Sequence, residues 1–182
     1  MVMAMWAQLG GPFLAAAGLL VLAGVPKLKD PMPLVRALRS AELPASRALV
    51  RVLAAVEVLV GVGAVVHPGR LTAAGVSASY LVFTAFVALT LRRGGVLGSC
   101  GCFGQPDTPP TRAHLVVTAF LAVTSGALVL SPPAGPVWVS VTPELVALAG
   151  FAALVGWLAY LVMAVLPATT PAAVRSASTG RS

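Results

Sequence analysis

The sequence predicts an all-α integral membrane helical bundle of five spans, and three observations carry that expectation. Of 182 residues, 58% are hydrophobic and only 9% charged, too little polar surface to cover a water-soluble globule of this size. The mean hydropathy of +0.96 comes from separate apolar runs, each close to the ~20 helical residues that cross a hydrocarbon core of ~30 Å. Third, most of the charged residues lie between those runs or at their ends.

The first run extends from Leu9 to Val25, and Pro26 with Lys27, Lys29 and Asp30 is expected to end it at an interface. The residues before it hold no Lys or Arg, unlike the basic n-region of a secretory signal, so the segment is expected to be retained. In the linker that follows, Pro33 to Arg39 and Ala45 to Arg51 read as basic, amphipathic, interfacial pieces separated by Pro44. The second run, Ala48 to Val66, is apolar except for Arg51 at its entry and Glu57 near its middle, and His67-Pro68-Gly69-Arg70 turns the chain. The third, Leu71 to Leu91, carries Thr72, Ser77, Ser79, Thr84 and Thr90, whose hydroxyls can bond to helix carbonyls. A glycine-rich loop with both cysteines comes next, and Gln105 to Pro110 cannot be helical in its interior.

The fourth run spans Arg112 to Leu130, and Ser131 to Pro136 breaks it. Trp138 suits an interface. Thr142-Pro143-Glu144 has the N-cap hydroxyl, first-turn proline and acid that open a helix. The fifth run is Leu145 to Leu166, and residues 167–182, rich in Ala, Thr and Ser, read as a disordered tail. The division expected is thus a four-span membrane domain over 1–130, a linker and extra transmembrane helix over 131–166, and the tail.

The formal net charge is +7, but the basic residues flank apolar runs instead of forming an aromatic-interleaved patch, so nucleic acid is not an expected partner and a lipid bilayer is. Lys27, Lys29, Arg36, Arg39, Arg47 and Arg51 fall between the first two runs, Arg92, Arg93 and Arg112 around the cysteine loop, and Arg175 and Arg181 in the tail. Only Arg70 falls on the opposite side. Short loops rich in Lys and Arg stay cytoplasmic. This predicts a multi-pass plasma-membrane protein with its N-terminus outside and its C-terminus and cysteine loop inside.

Cys100 and Cys102 are the only cysteines. One glycine separates them, which puts their α-carbons roughly 5.5 to 7 Å apart, within reach of a disulfide. So small a ring is strained and readily exchanged. Two apolar fillers would seldom fall one residue apart in a turn, so thiol redox chemistry is the reading preferred. His114 could add a third metal ligand, but structural zinc wants four and a wider cysteine spacing, and no metal site is expected.

Glu57 stands where a charge is costly, so it is expected to face the bundle interior and to find a partner in Lys27 or Arg51. Structural glue between helices is one role for it; shuttling protons, or binding a polar group of a quinone or substrate, is the other. Lys27 has a plain reading as an interfacial side chain reaching for water. Arg112 and His114, just after the proline break, are candidates to hold a thiolate or carry a proton. No heme, flavin or nucleotide motif accompanies them.

Taken together these residues resemble the methylamine-utilisation MauE family, relatives of the DoxX-like membrane proteins. The resemblance runs through Gly24-Val-Pro-Lys27-Leu-Lys-Asp30-Pro31, Glu57, Cys100-Gly-Cys-Phe-Gly104 and Arg112-Ala-His114-Leu, over about residues 9 to 130. It implies a four-helix core, from which the fifth span departs. It also implies a membrane protein needed to mature the small subunit of methylamine dehydrogenase, with a thioredoxin-like partner. Disulfides of such a client form outside the cytoplasm, whereas charge places Cys100 and Cys102 inside; a relay across the bundle reconciles the two. Two rival classes are a non-catalytic scaffold for enzyme assembly and a DoxX-like subunit of a quinone-linked oxidoreductase, for which quinone would be the cofactor.

Overall fold

In the computed structural model, which describes residues 2–92, 111–133 and 142–165, each of the five apolar runs is a helix. The cysteine loop with Arg93, Cys100 and Cys102, the Trp138 segment and the expected tail lie outside the described residues. The first helix, α1 (Val2–Lys29), passes through both Pro12 and Pro26, so the expectation that Pro26 closes the span is corrected. An interior proline forfeits one backbone hydrogen bond and crowds the preceding turn, but neighbouring helices hold a membrane helix together across it. The turn closes beyond it, with the Asp30 N–H donating to the Pro26 carbonyl at 2.8 Å.

Helix α2 (Met32–Ser40) is the first amphipathic piece: Pro33, Val35 and Ala37 are buried and Arg36 and Arg39 exposed. It ends in a Schellman motif, the N–H groups of Glu42 and Leu43 donating to the carbonyls of Arg39 and Leu38 at 2.9 Å each. That motif needs a left-handed residue, and Glu42 supplies it at φ 56. The second expected piece is not separate. Ser46 caps α3 (Arg47–Val66), its side chain accepting from the Leu49 N–H at 3.1 Å, and the basic stretch becomes the first turn of the span.

The turn into α4 (Arg70–Arg92) is fastened by Thr72 Oγ1, which accepts from the Gly69 N–H and donates to the His67 carbonyl, both at 3.0 Å. Thr111 caps α5 (Arg112–Leu130). Thr142, Pro143 and Glu144 open α6 (Pro143–Tyr160) as expected, Thr142 accepting from the Leu145 N–H at 3.3 Å. Beyond it the chain continues as a π-helical turn, Leu161–Val165. Among the described residues, five stretches are long and apolar enough to cross a membrane: Gln8–Lys29, Arg47–Val66, Arg70–Arg92, Arg112–Leu130 and Pro143–Met163.

The spans wrap around α1. Two thirds of its apolar window is buried (67%), against 11% for α6, and α1 packs on α3, α4, α5 and α6 alike. Phe13, Ala16, Ala17 and Leu20 on it are fully buried. Without a hydrophobic force between helices in lipid, close backbone approach does the work. The crossing of α1 with α3 shows it: a Cβ on Gly61 would stand 2.6 Å from the Ala17 carbonyl oxygen, and one on Gly24 would stand 2.7 Å from Val58.

Hydroxyls add cross-ties. Ser77 donates to the Ala122 carbonyl at 2.9 Å, joining α4 to α5, and Tyr80 donates to the Ala16 carbonyl at 2.9 Å, joining α4 to α1. Tyr80→Phe is expected to lower the unfolding free energy by about 0.6 to 1.7 kcal/mol, the range of such bonds between membrane helices. Steric-trap or SDS unfolding in lipid bicelles measures it; an unchanged midpoint would count against the cross-tie.

Candidate functional site

One end of the bundle collects the C-termini of α1 and α4 and the N-termini of α3 and α5, because the spans alternate in direction. Residues 93–110, with the cysteines, join two of those ends. Just inside lie Lys27 and Glu57. Lys27 Nζ donates to Glu57 Oε1 at 3.0 Å and to Oε2 at 2.8 Å, and the two residues are only 2% and 6% exposed. Both carboxylate oxygens are engaged, as a buried charge requires.

The pair exists because of the packing beneath it. Gly24 and Gly61 bring α1 and α3 together, and Glu57, one turn before Gly61, faces the same neighbour. Lys27, three residues beyond Gly24, reaches inward along the seam. The reading of Lys27 as an interfacial side chain is therefore corrected: it turns into the bundle, where its ammonium also lies 4.9 Å from the centroid of the Phe83 ring on α4, a cation–π distance. Of the two partners that sequence offers Glu57, Lys27 is the one in contact; Arg51, at the start of α3, is exposed.

His114 is also brought to this place, 2% exposed on the first turn of α5. Its Nδ1 accepts from the Thr111 N–H at 3.3 Å and faces the Thr111 hydroxyl at 2.9 Å, while the Thr111 side chain accepts from the His114 N–H at 3.4 Å. The ring therefore replaces the usual Glu or Gln of a capping box. Thr118, one turn on, donates to the His114 carbonyl at 2.8 Å. Arg112 is exposed and stays outside this cluster.

Lys27, Tyr80, Phe83, His114, Thr118 and Met163 are among the residues around a cavity of about 30 Å³, room for a water or two. A second, open space of about 630 Å³ runs between α1 and α6, lined by residues such as Leu14, Gly18, Pro26, Gly156, Trp157 and Tyr160, a ligand-sized, largely apolar groove. Sequence reasoning named Lys27, Glu57 and His114, but missed Phe83, Tyr80 and Met163. An aromatic within an apolar run does not reveal which face of its helix is inward, so no signal for them was present.

A helical bundle with five membrane-crossing stretches, enclosing an ion pair and a histidine beneath the end of α1, defines a multi-pass membrane protein. The chain belongs to the MauE family: the model described as Methylamine utilisation protein MauE matches residues 4–132. The matched region holds α1 to α5, and α6 follows it. This makes the chain a membrane protein of methylamine utilisation. No curated protein and no solved structure matches it.

Proposed function

We propose that this protein is a thiol–disulfide redox component of the plasma membrane that supports maturation of an exported redox enzyme of the methylamine-dehydrogenase type. The observation that carries the reading is the Cys100-Gly101-Cys102 pair, the chain's only cysteines, within the region matched to the family. In the oxidised form, a thiolate of a thioredoxin-like partner attacks one sulfur, forming a mixed disulfide. The partner's second thiol then resolves it, so that the partner leaves oxidised and Cys100 and Cys102 are left as a dithiol. Restoring the Cys100–Cys102 disulfide requires a two-electron acceptor, a role that a quinone would fill by taking up the two electrons and two protons.

Lys27, Glu57 and His114 support that chemistry from inside the bundle in this proposal, and Arg112 from its surface, where a cation favours thiolate over thiol. The basic residues argue for a cytoplasmic cysteine loop and an external N-terminus. Cys100→Ser and Cys102→Ser are each expected to leave the partner in its wrong redox state and to abolish maturation of the dehydrogenase small subunit, read by thiol-trapping gels. An impermeant maleimide should label the pair in opened but not in intact cells. Normal maturation in both serine variants would sink the redox reading.

The closed Lys27–Glu57 pair favours a second reading, a scaffold that positions a partner for assembly. A bridge with both carboxylate oxygens taken is a clamp before it is a catalyst. In that case the serine variants mature the client normally, whereas Lys27→Met or Glu57→Leu alone, which leaves one buried charge unpaired and loosens the helices, does not.

A further inference from the structure

The fifth span is the least buried, yet in its π-helical turn, Leu161–Val165, Met163 is only 5% exposed. Here the π turn continues α6 to the last described residue; π turns are rare and are frequently found at functional sites. This turn packs against α5. Met163 lines the cavity shared by Lys27, Phe83, His114 and Thr118, so the π turn and the His114 ring meet there. At the ring's Nδ1, the Thr111 N–H donates at 3.3 Å. A nitrogen that receives an N–H is an acceptor, so the ring proton belongs on Nε2, and the partner such a proton seeks is a carbonyl.

We propose that the π turn of the fifth span is a positioning element for His114: the Met163 carbonyl accepts from Nε2–H and thereby sets the ring's tautomer and orientation. The device comes from beyond the family-matched residues 4–132, so the added span contributes to the site as well as to topology. It concerns His114 alone and does not depend on thiol exchange at Cys100 and Cys102.

The chain has two histidines, which makes the test direct. Full-length protein in lipid bilayers, with 15N in its histidines and 13C in its methionine carbonyls, is studied by solid-state NMR, and His67→Gln assigns the signals. His114 is expected to show the Nε2–H tautomer, with Nε2 dephased by a carbonyl carbon within about 4 Å, the sum of a hydrogen bond and a C=O length. Met163→Leu should abolish the dephasing, because the label is gone, but keep the tautomer, because the carbonyl remains. Deleting Val162, which returns the π turn to α-helical register, should lose the single tautomer. A proton on Nδ1, an absent Met163 dephasing, or an unchanged tautomer in the folded deletion variant would each overturn the proposal. If the deletion variant does not fold, the wild-type dephasing decides.

Discussion

Lys27→Met and Glu57→Leu, made singly, are each expected to lower the unfolding free energy by about 3–5 kcal/mol, and the double variant to recover most of that loss. The sign follows from what each single change leaves behind. Lys27→Met leaves a carboxylate that is 6% exposed without the ammonium that engages both its oxygens. Glu57→Leu leaves an ammonium that is 2% exposed without its carboxylate, 4.9 Å from the Phe83 ring centroid. In water such groups would hydrate. Buried among membrane helices they must drag water inward or distort the packing, which is why lone charges there are expensive.

Removing both residues removes both desolvation costs, and apolar side chains of similar volume can fill the space. The quantity to measure is therefore the coupling in a double-mutant cycle, read from unfolding midpoints in bicelles. Additive losses would show that the pair is not the reason the residues are buried. The same double variant separates the two functional readings. If it folds and still supports client maturation, Lys27 and Glu57 are a clamp; if it folds and does not, their charges serve the chemistry.

The two kinds of information in this chain are unevenly spread along it. The spans were legible because membrane insertion depends on summed apolarity, which survives ignorance of packing, and Thr142-Pro143-Glu144 was legible because a cap is local. Glu57 announced itself because a carboxylate amid Ala, Val and Leu has no cheap solution except a partner. Choosing between Lys27 and Arg51 needed the helix crossing, since both lie within a side chain's reach on paper. Pro26 misled for a related reason: its local penalty is real, but α3 and α6 packed along α1 outweigh it. Lys27 read as interfacial only as long as the helix was thought to end before it. Nothing local marks Phe83 or Met163, whose roles follow from which face of a helix meets α1 or α5. The cysteine pair is the reverse case, conspicuous in sequence and lying outside the described residues.

Gly61→Leu is expected to cost about 3 kcal/mol, the upper part of the range for overpacking a core. A Cβ there would stand 2.6 Å from the Ala17 carbonyl oxygen and 2.8 Å from Val21 Cγ2. A carbonyl cannot rotate aside as a side chain can, so α3 must move off α1. Gly150 on α6 has no atom within 4 Å of such a Cβ, and Gly150→Leu is expected to stay within about 1 kcal/mol of wild type on helix propensity alone. A wedge at 61 also acts one turn from Glu57, on the same face of α3. Part of its cost is thus the stretching of the Lys27–Glu57 contact, which no longer exists in the chain carrying Lys27→Met and Glu57→Leu. Gly61→Leu should accordingly cost less in that background than in the wild type. Equal costs in the two backgrounds would mean that the crossing and the ion pair are independent, and that the close approach of α1 and α3 is not what brings the charges together.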